Sequence, residues 1–314
     1  VHVTDERWRE LLHVRATDPA AIERAYAKRV RRADLLAGKQ TLFLVAADHP
    51  ARGALGVGAD RTAMADRRTL LERLLIALAN PDVDGVLGSP DVVEELLLLD
   101  ALDDKVVIGS MNRGGLAGAE WEIDDRFTGY DAEALARFRL DGGKMLLRLV
   151  DSDAGTVPTL QACAQAVSEL AAHELMAMVE PLSYHRDDNG ALVMSKDALS
   201  LSRAITVASG LGVTSAYTWL KIPAPPDISV LDATTLPVLV LGGAPSGDSA
   251  VDRALWGGAL GHDVVRGLVV GRTLLYPPDG DVARAVDTAA RLLRETRRDR
   301  IAADIHRLRT EEVR

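Results

Sequence analysis

Two lysines and a few carboxylates in this chain have the residue types for carbonyl chemistry. Lys221 stands near the end of an apolar run, "AYTWLKIPAP", and Lys144 near the start of another, "GGKMLLRLV". A lysine in a dry pocket beside a second cation gives up its proton more readily, because burial and like charge both oppose the ammonium. The neutral amine can attack a carbonyl and form a Schiff base, which draws off electrons while a C–C bond breaks. Such chemistry also needs a proton carrier, and Glu180, Tyr184 and Asp48 qualify by type. Each has a plainer use as well. Asp48 can cap the segment that follows it, Glu180 can pair with a structural lysine, and Tyr184 can be a loop aromatic. His49 can simply orient the loop backbone.

These residues need a scaffold that brings distant parts of the chain together. Eight short apolar runs supply one: residues 41–48, 83–89, 105–111, 143–150, 175–182, 216–222, 236–243 and 266–272. Several lack strict alternation, as expected of parallel strands covered on both faces. Helical patterns lie between most of them, among them "DRRTLLERLLIALANP", "DVVEELLLLDAL", "DAEALARFRL" and "TLQACAQAVSELAAHEL". Eight strands with interleaved helices predict an α/β fold, a (β/α)8 barrel, with a doubly wound open sheet as the alternative. Residues 5–36 read as helical, with Asp18 before Pro19 as an N-cap signal. The division expected is an N-terminal helical extension (1–39), the barrel (40–295) and a charged C-terminal helix (296–314).

In such a barrel the chemistry gathers at the C-terminal strand ends. The first run ends in Asp48-His49, the fourth carries Lys144 and Arg148, the fifth Glu180 and Tyr184, and the sixth Lys221. The seventh ends in Gly242-Gly243 and the eighth in Gly271-Arg272. Glycine lets backbone N–H groups approach an anion closely, and Arg272 adds a charge. The last two ends, "GGAPSGD" and "GRTLL", therefore predict a phosphate site, although a Gly-Gly pair can also merely make a turn.

The chain has 314 residues, 47% of them hydrophobic and 26% charged, with a net charge of −9. That balance speaks against nucleic acid or an anionic membrane as a partner. Cys163, the single cysteine, lies on the apolar face of a helical pattern and reads as core. With one thiol, and no apolar export segment at the N-terminus, a cytoplasmic location is expected. No HxH or HxxxH pair offers a zinc site, so neither metal nor other cofactor is expected. Apolar faces on the N-terminal helices would suit a homo-oligomer.

Taken in order, "AADHPARG", "GGKMLLRLVDSD", "VEPLSY", "WLKIPAP", "PVLVLGGAP" and "GLVVGRTLL" resemble the class I, Schiff-base aldolases. The group includes archaeal-type fructose-bisphosphate, tagatose-bisphosphate and sulfosugar-phosphate aldolases, with deoxyribose-phosphate aldolases more distant. The resemblance covers about residues 40–275. It implies Lys221 as the Schiff-base lysine, Asp48 and Lys144 beside the substrate, and Gly243, Gly271 and Arg272 at its phosphate. It ranks Glu180 ahead of Tyr184 as acid/base, in the tagatose-bisphosphate manner. His49, Arg148 and Gly242 complete the expected substrate contacts. The chain departs from the pattern in its Asp-His-Pro motif, its N-terminal helices and the insert "NRGGLAGAEWEIDDRFTGY". These departures imply a branch associated with inositol breakdown, cleaving 2-deoxy-5-keto-gluconate 6-phosphate to dihydroxyacetone phosphate and malonate semialdehyde. Other phosphorylated sugars, a metal-assisted aldolase or isomerase, and a non-catalytic sugar-phosphate binder are the alternatives.

Overall fold

All eight apolar runs are strands, and they close into a parallel barrel. The computed structural model describes residues 2–36, 38–243 and 249–311. The strands are β1 (Leu42–Ala46), β2 (Gly85–Gly88), β3 (Val106–Ser110), β4 (Gly142–Leu149) and β5 (Met176–Arg186). A short β6 (Leu192–Met194) folds back antiparallel on the end of β5 and stands outside the barrel. The barrel continues with β7 (Thr218–Pro223), β8 (Val238–Leu241) and β9 (Val265–Val270). β9 pairs with β1 and β4 with β5, so no open edge remains among the barrel strands. The open-sheet alternative is thereby excluded.

Strand periodicity sorts the residues into two layers. Leu42, Leu44 and Ala46 of β1 point into the barrel, with Ile108 of β3, Met178 of β5 and Leu239 of β8. Phe43 and Val45 point outward, into the larger core beneath the helices. The same alternation puts Lys144 on the inner face of β4, Glu180 on that of β5 and Lys221 on that of β7. These charged residues occupy the layer directly above the apolar plug.

The extension forms α1 (Asp5–Thr17) and α2 (Ala20–Lys28), and a 3-10 turn (Pro50–Arg52) follows β1. Around the barrel run α3 (Arg67–Leu78), α4 (Pro90–Leu98), α5 (Ala132–Arg137), α6 (Thr156–Ala172) and α7 (Ala198–Ser209). After them come α8 (Ser249–Leu260), the single turn α9 (Arg272–Leu275) and α10 (Val282–Glu311). Aspartates cap several of these helices: Asp66, Asp131 and Asp197 accept from Thr69, Ala134 and Ser200 backbone N–H groups at 2.6, 2.7 and 2.9 Å. Cys163 is fully buried on α6, and burial pushes its thiol up to about 12. Between β7 and β8, the proline-rich link admits only a 3-10 helix, Ile228–Ala233.

Three sequence expectations need correction. The helix expected over 5–36 stops at Lys28, because residues 29–36 cross the N-terminal end of the barrel instead. There Arg32 and Lys39 bind Asp84 at 3.0 and 2.8 Å, and Arg31 binds Asp141 at 2.8 Å. Leu35 and Leu36 pack against the inner core. Asp18 does not cap α2 with its side chain; its carboxylate pairs with Arg24. The boundary expected at residue 296 falls inside the continuous helix α10.

Candidate active site

The C-terminal mouth of the barrel collects charged side chains from separate strands, and two carboxylates tie them together. Glu180 lies between both lysines. Its Oε1 is 3.1 Å from Lys221 Nζ, and its Oε2 is 2.6 Å from Lys144 Nζ. Lys144 continues to Asp48 Oδ2 at 3.2 Å, which also meets Arg113 Nη1 at 3.1 Å and accepts from Ser110 Oγ at 3.0 Å. Lys144, Lys221 and Asp48 are 1 to 3% exposed, so the network is nearly dry.

The electrostatics follow from that burial. Burial alone would raise the carboxyls, but Arg113 and Lys144 hold Asp48 well below the usual range. Lys144 and Lys221 likewise outweigh burial at Glu180 and hold its carboxyl low. Burial, aided by Arg113, lowers Lys144 to about 8 despite its two carboxylate partners. Burial also lowers His49, to about 3, so its imidazole is neutral at physiological pH.

Several buried polar atoms here lack a partner among the described residues: Asp48 Oδ1, His49 Nδ1, Arg113 Nη2 and Arg272 Nε. Asp48 Oδ1 and His49 Nδ1 stand 3.8 Å apart. Unsatisfied buried polar atoms are costly, and their clustering marks a place built for a polar ligand. Leu146, Leu182 and Leu241 form an apolar collar against which Tyr184 and Met194 pack. That collar limits water and strengthens the charges below it.

The cavity brings together Asp48, His49, Lys144, Glu180, Tyr184, Lys221, Gly242, Gly243, Gly271 and Arg272. Glu180, Leu182 and Tyr184 share the inward face of β5, as alternation requires. Burial raises the Tyr184 hydroxyl, and none of the hydrogen bonds described above reaches it. Gly243 has φ +65°, a left-handed conformation that side chains disfavour, and a Cβ at Gly271 would meet the Ala46 carbonyl at 2.5 Å. The rest of the loop after β8, residues 244–248, lies outside the described residues.

Arg148 is the one expected contact that the structure does not bring to the cavity. Its guanidinium meets Glu122 at 2.5 Å and Asp125 at 3.3 Å, both in the insert after β3. That insert, without assignable structure in the sequence, intercepts a side chain on the inward face of its strand. His185 and Arg186 are exposed, with Arg186 bound to Asp153 at 2.6 Å. Arg113, which holds Asp48, was not among the expected site residues. Its position three residues after Ser110, just past a strand end, was the signal. Among the described residues, no group of three or more His, Cys, Asp and Glu side chains is placed to hold a metal ion.

The architecture is a closed eight-stranded parallel barrel ringed by helices, a fold shared with aldolases of low sequence identity. An archaeal fructose 1,6-bisphosphate aldolase superposes with a TM-score of 0.60 at 17% identity, covering 87% of this chain and 98% of that one. Another structure of an archaeal fructose-1,6-bisphosphate aldolase has its catalytic Lys covalently bound to the carbinolamine intermediate of the substrate. It gives 0.58 at 15% identity over 87% of this chain and 99% of its own. Much nearer is the crystal structure of Cgl0159 from Corynebacterium glutamicum, with a TM-score of 0.90 and 48% identity over 92% of this chain and 97% of that one. The Cgl0159-like family model matches residues 40–290, and the chain belongs to that family. No curated protein matches it.

Proposed function

We propose that the protein is a class I aldolase that cleaves or forms a C–C bond in a phosphorylated sugar or sugar acid through a Schiff base on Lys221. The observation that carries this reading is the buried Lys221–Glu180–Lys144–Asp48 chain at the barrel mouth. Lys221 Nζ attacks the substrate carbonyl carbon, and loss of water leaves an iminium. Glu180, within reach of both lysines, takes the proton from the hydroxyl β to that carbon. The C–C bond between them breaks, its electrons pass to the iminium nitrogen, and an aldehyde departs. Protonation of the remaining enamine and addition of water release the ketone and restore the amine. Lys144 keeps Glu180 and Asp48 ionised, Asp48 and His49 offer polar atoms to substrate hydroxyls, and Tyr184 is the reserve proton donor.

Five cations and two carboxylates line the cavity, which favours a substrate of high negative charge. Gly242, Gly243, Gly271 and Arg272 are assigned to its phosphate. Within the class we propose 2-deoxy-5-keto-gluconate 6-phosphate as substrate, with dihydroxyacetone phosphate and malonate semialdehyde as products. Its carboxylate and phosphate together suit the excess of cations. The test is release of dihydroxyacetone phosphate from a panel of ketose phosphates and this keto-acid phosphate, with EDTA present throughout. Turnover that survives EDTA supports the Schiff-base route, and activity restored only by added metal contradicts it. Binding of these compounds without any turnover would instead favour a sugar-phosphate binder.

A further inference from the structure

The insert between β3 and α5 meets the barrel through Glu122, which grips Arg52 of the turn after β1 and Arg148 of β4. Glu122 Oε1 accepts from Arg52 Nη1 at 3.1 Å and from Arg148 Nη1 at 2.5 Å, while Oε2 accepts from the Gly118 N–H at 2.8 Å. Both Nη groups of Arg148 are engaged with the insert, since Nη2 also binds Asp125 and the Gly115 and Glu122 carbonyls. Arg52 differs. Its carbonyl accepts from the Ala117 N–H at 2.9 Å, so the insert holds both its backbone and its Nη1. Its side chain nevertheless lines the substrate cavity.

The turn carrying Arg52 packs on the one carrying Arg272. β1 and β9 are neighbours, with Val45 opposite Val270. A Cβ at Gly271 would come within 3.2 Å of the His49 ring, three residues before Arg52. Arg272 has a buried Nε without a partner among the described residues. After burial itself, the charge of Arg52 does most to lower the Arg272 guanidinium from its ordinary range. Two guanidiniums facing one low-dielectric cavity repel each other until an anion joins them.

We propose that Arg52, oriented by Glu122 of the insert, is a second cation of the phosphate site and closes with Arg272 on the substrate's phosphate monoester. The inference rests on reading the mouth as a sugar-phosphate site. It gives the insert a role: Glu122 is a positioning residue that pre-orders a flexible arginine, reducing the entropy lost on binding.

The test uses inorganic phosphate as the probe, titrated calorimetrically into the full-length protein. Arg52→Gln is expected to weaken phosphate binding about tenfold, the effect of one charge-assisted hydrogen bond. Arg52→Lys keeps the charge without the fork and should retain part of the affinity. Glu122→Ala should weaken binding about threefold, and adding it to Arg52→Gln should cost nothing more, because no arginine remains to be positioned. Circular dichroism melts identify any variant whose insert has collapsed, and for that case Arg52→Lys carries the test alone. Unchanged affinity in Arg52→Gln and Arg52→Lys overturns the inference and leaves the sugar-phosphate reading standing. Failure of the native protein to bind phosphate overturns both. Losses that add in the double variant overturn the positioning role of Glu122.

Discussion

Both ends of the barrel bury carboxylates among cations, and they do so in opposite ways. At the N-terminal end, Asp84 accepts from Arg32, Lys39 and the Phe43 backbone N–H, the last at 2.8 Å. Asp141 accepts from Arg31 and the Val107 N–H, also at 2.8 Å. Each carboxylate thus pins a strand and a cation from the N-terminal extension, with both oxygens in use. At the C-terminal end, Asp48 and Glu180 hold only side chains, and Asp48 Oδ1 has no partner among the described residues. The first arrangement seals the barrel, whereas the second leaves bonding capacity for a ligand. Burial of charge does not separate the carboxylates of the two ends; the unpaired oxygen of Asp48 does.

This contrast can be broken most severely at the mouth. Lys221→Ala should lower aldol cleavage by about 10⁴-fold or more, the scale seen when a nucleophile is removed, with little change in thermal stability. A stable variant with native turnover would refute the assignment. Glu180→Gln keeps the shape and removes the proton acceptor, so kcat should fall about 10² to 10⁴-fold. If Tyr184→Phe has the larger effect, the acid/base ranking is reversed.

Damage at the other end should look different. Asp84→Ala leaves Arg32, Lys39 and the Phe43 N–H without their acceptor, and should cost about 3 kcal/mol of stability. Below its melting temperature, the variant should keep kcat within about twofold. A large loss of kcat in folded Asp84→Ala would mean that the two ends are coupled.

The smallest effect is a pH dependence. Lys144 titrates at about 8, so rising pH removes the cation that bridges Asp48 and Glu180. Activity should fall as pH rises through about 8, and Lys144→Arg should shift that fall upward. Stability moves the other way. The unfolded lysine titrates near 10.4, so the cost of burying the protonated form is present below about 8 and is relieved as pH rises beyond it. The Lys144 contribution to stability therefore grows over the window in which the rate declines. A pH–rate profile beside a pH series of melting temperatures separates the two.

Much of this was legible in the sequence. The eight runs were readable because parallel strands buried on both faces are continuously apolar, and Lys221 was conspicuous as a lone charge in such a run. The extension misled because "RVRRADLL" has helical spacing, while its arginines are used to bind Asp84 and Asp141 across the barrel floor. Arg148 misled for a related reason. Strand parity points it inward, but Glu122 and Asp125, distant in sequence and set in an aperiodic insert, capture it first. Periodicity reports which face a residue takes and is silent on which partner arrives there.

The most direct measurement is borohydride reduction of the native protein with dihydroxyacetone phosphate, followed by peptide mass spectrometry. The account predicts an irreversible adduct on the peptide containing Lys221, with loss of activity and no adduct in Lys221→Ala. An adduct on Lys144, or full activity after reduction with no adduct at all, would contradict it.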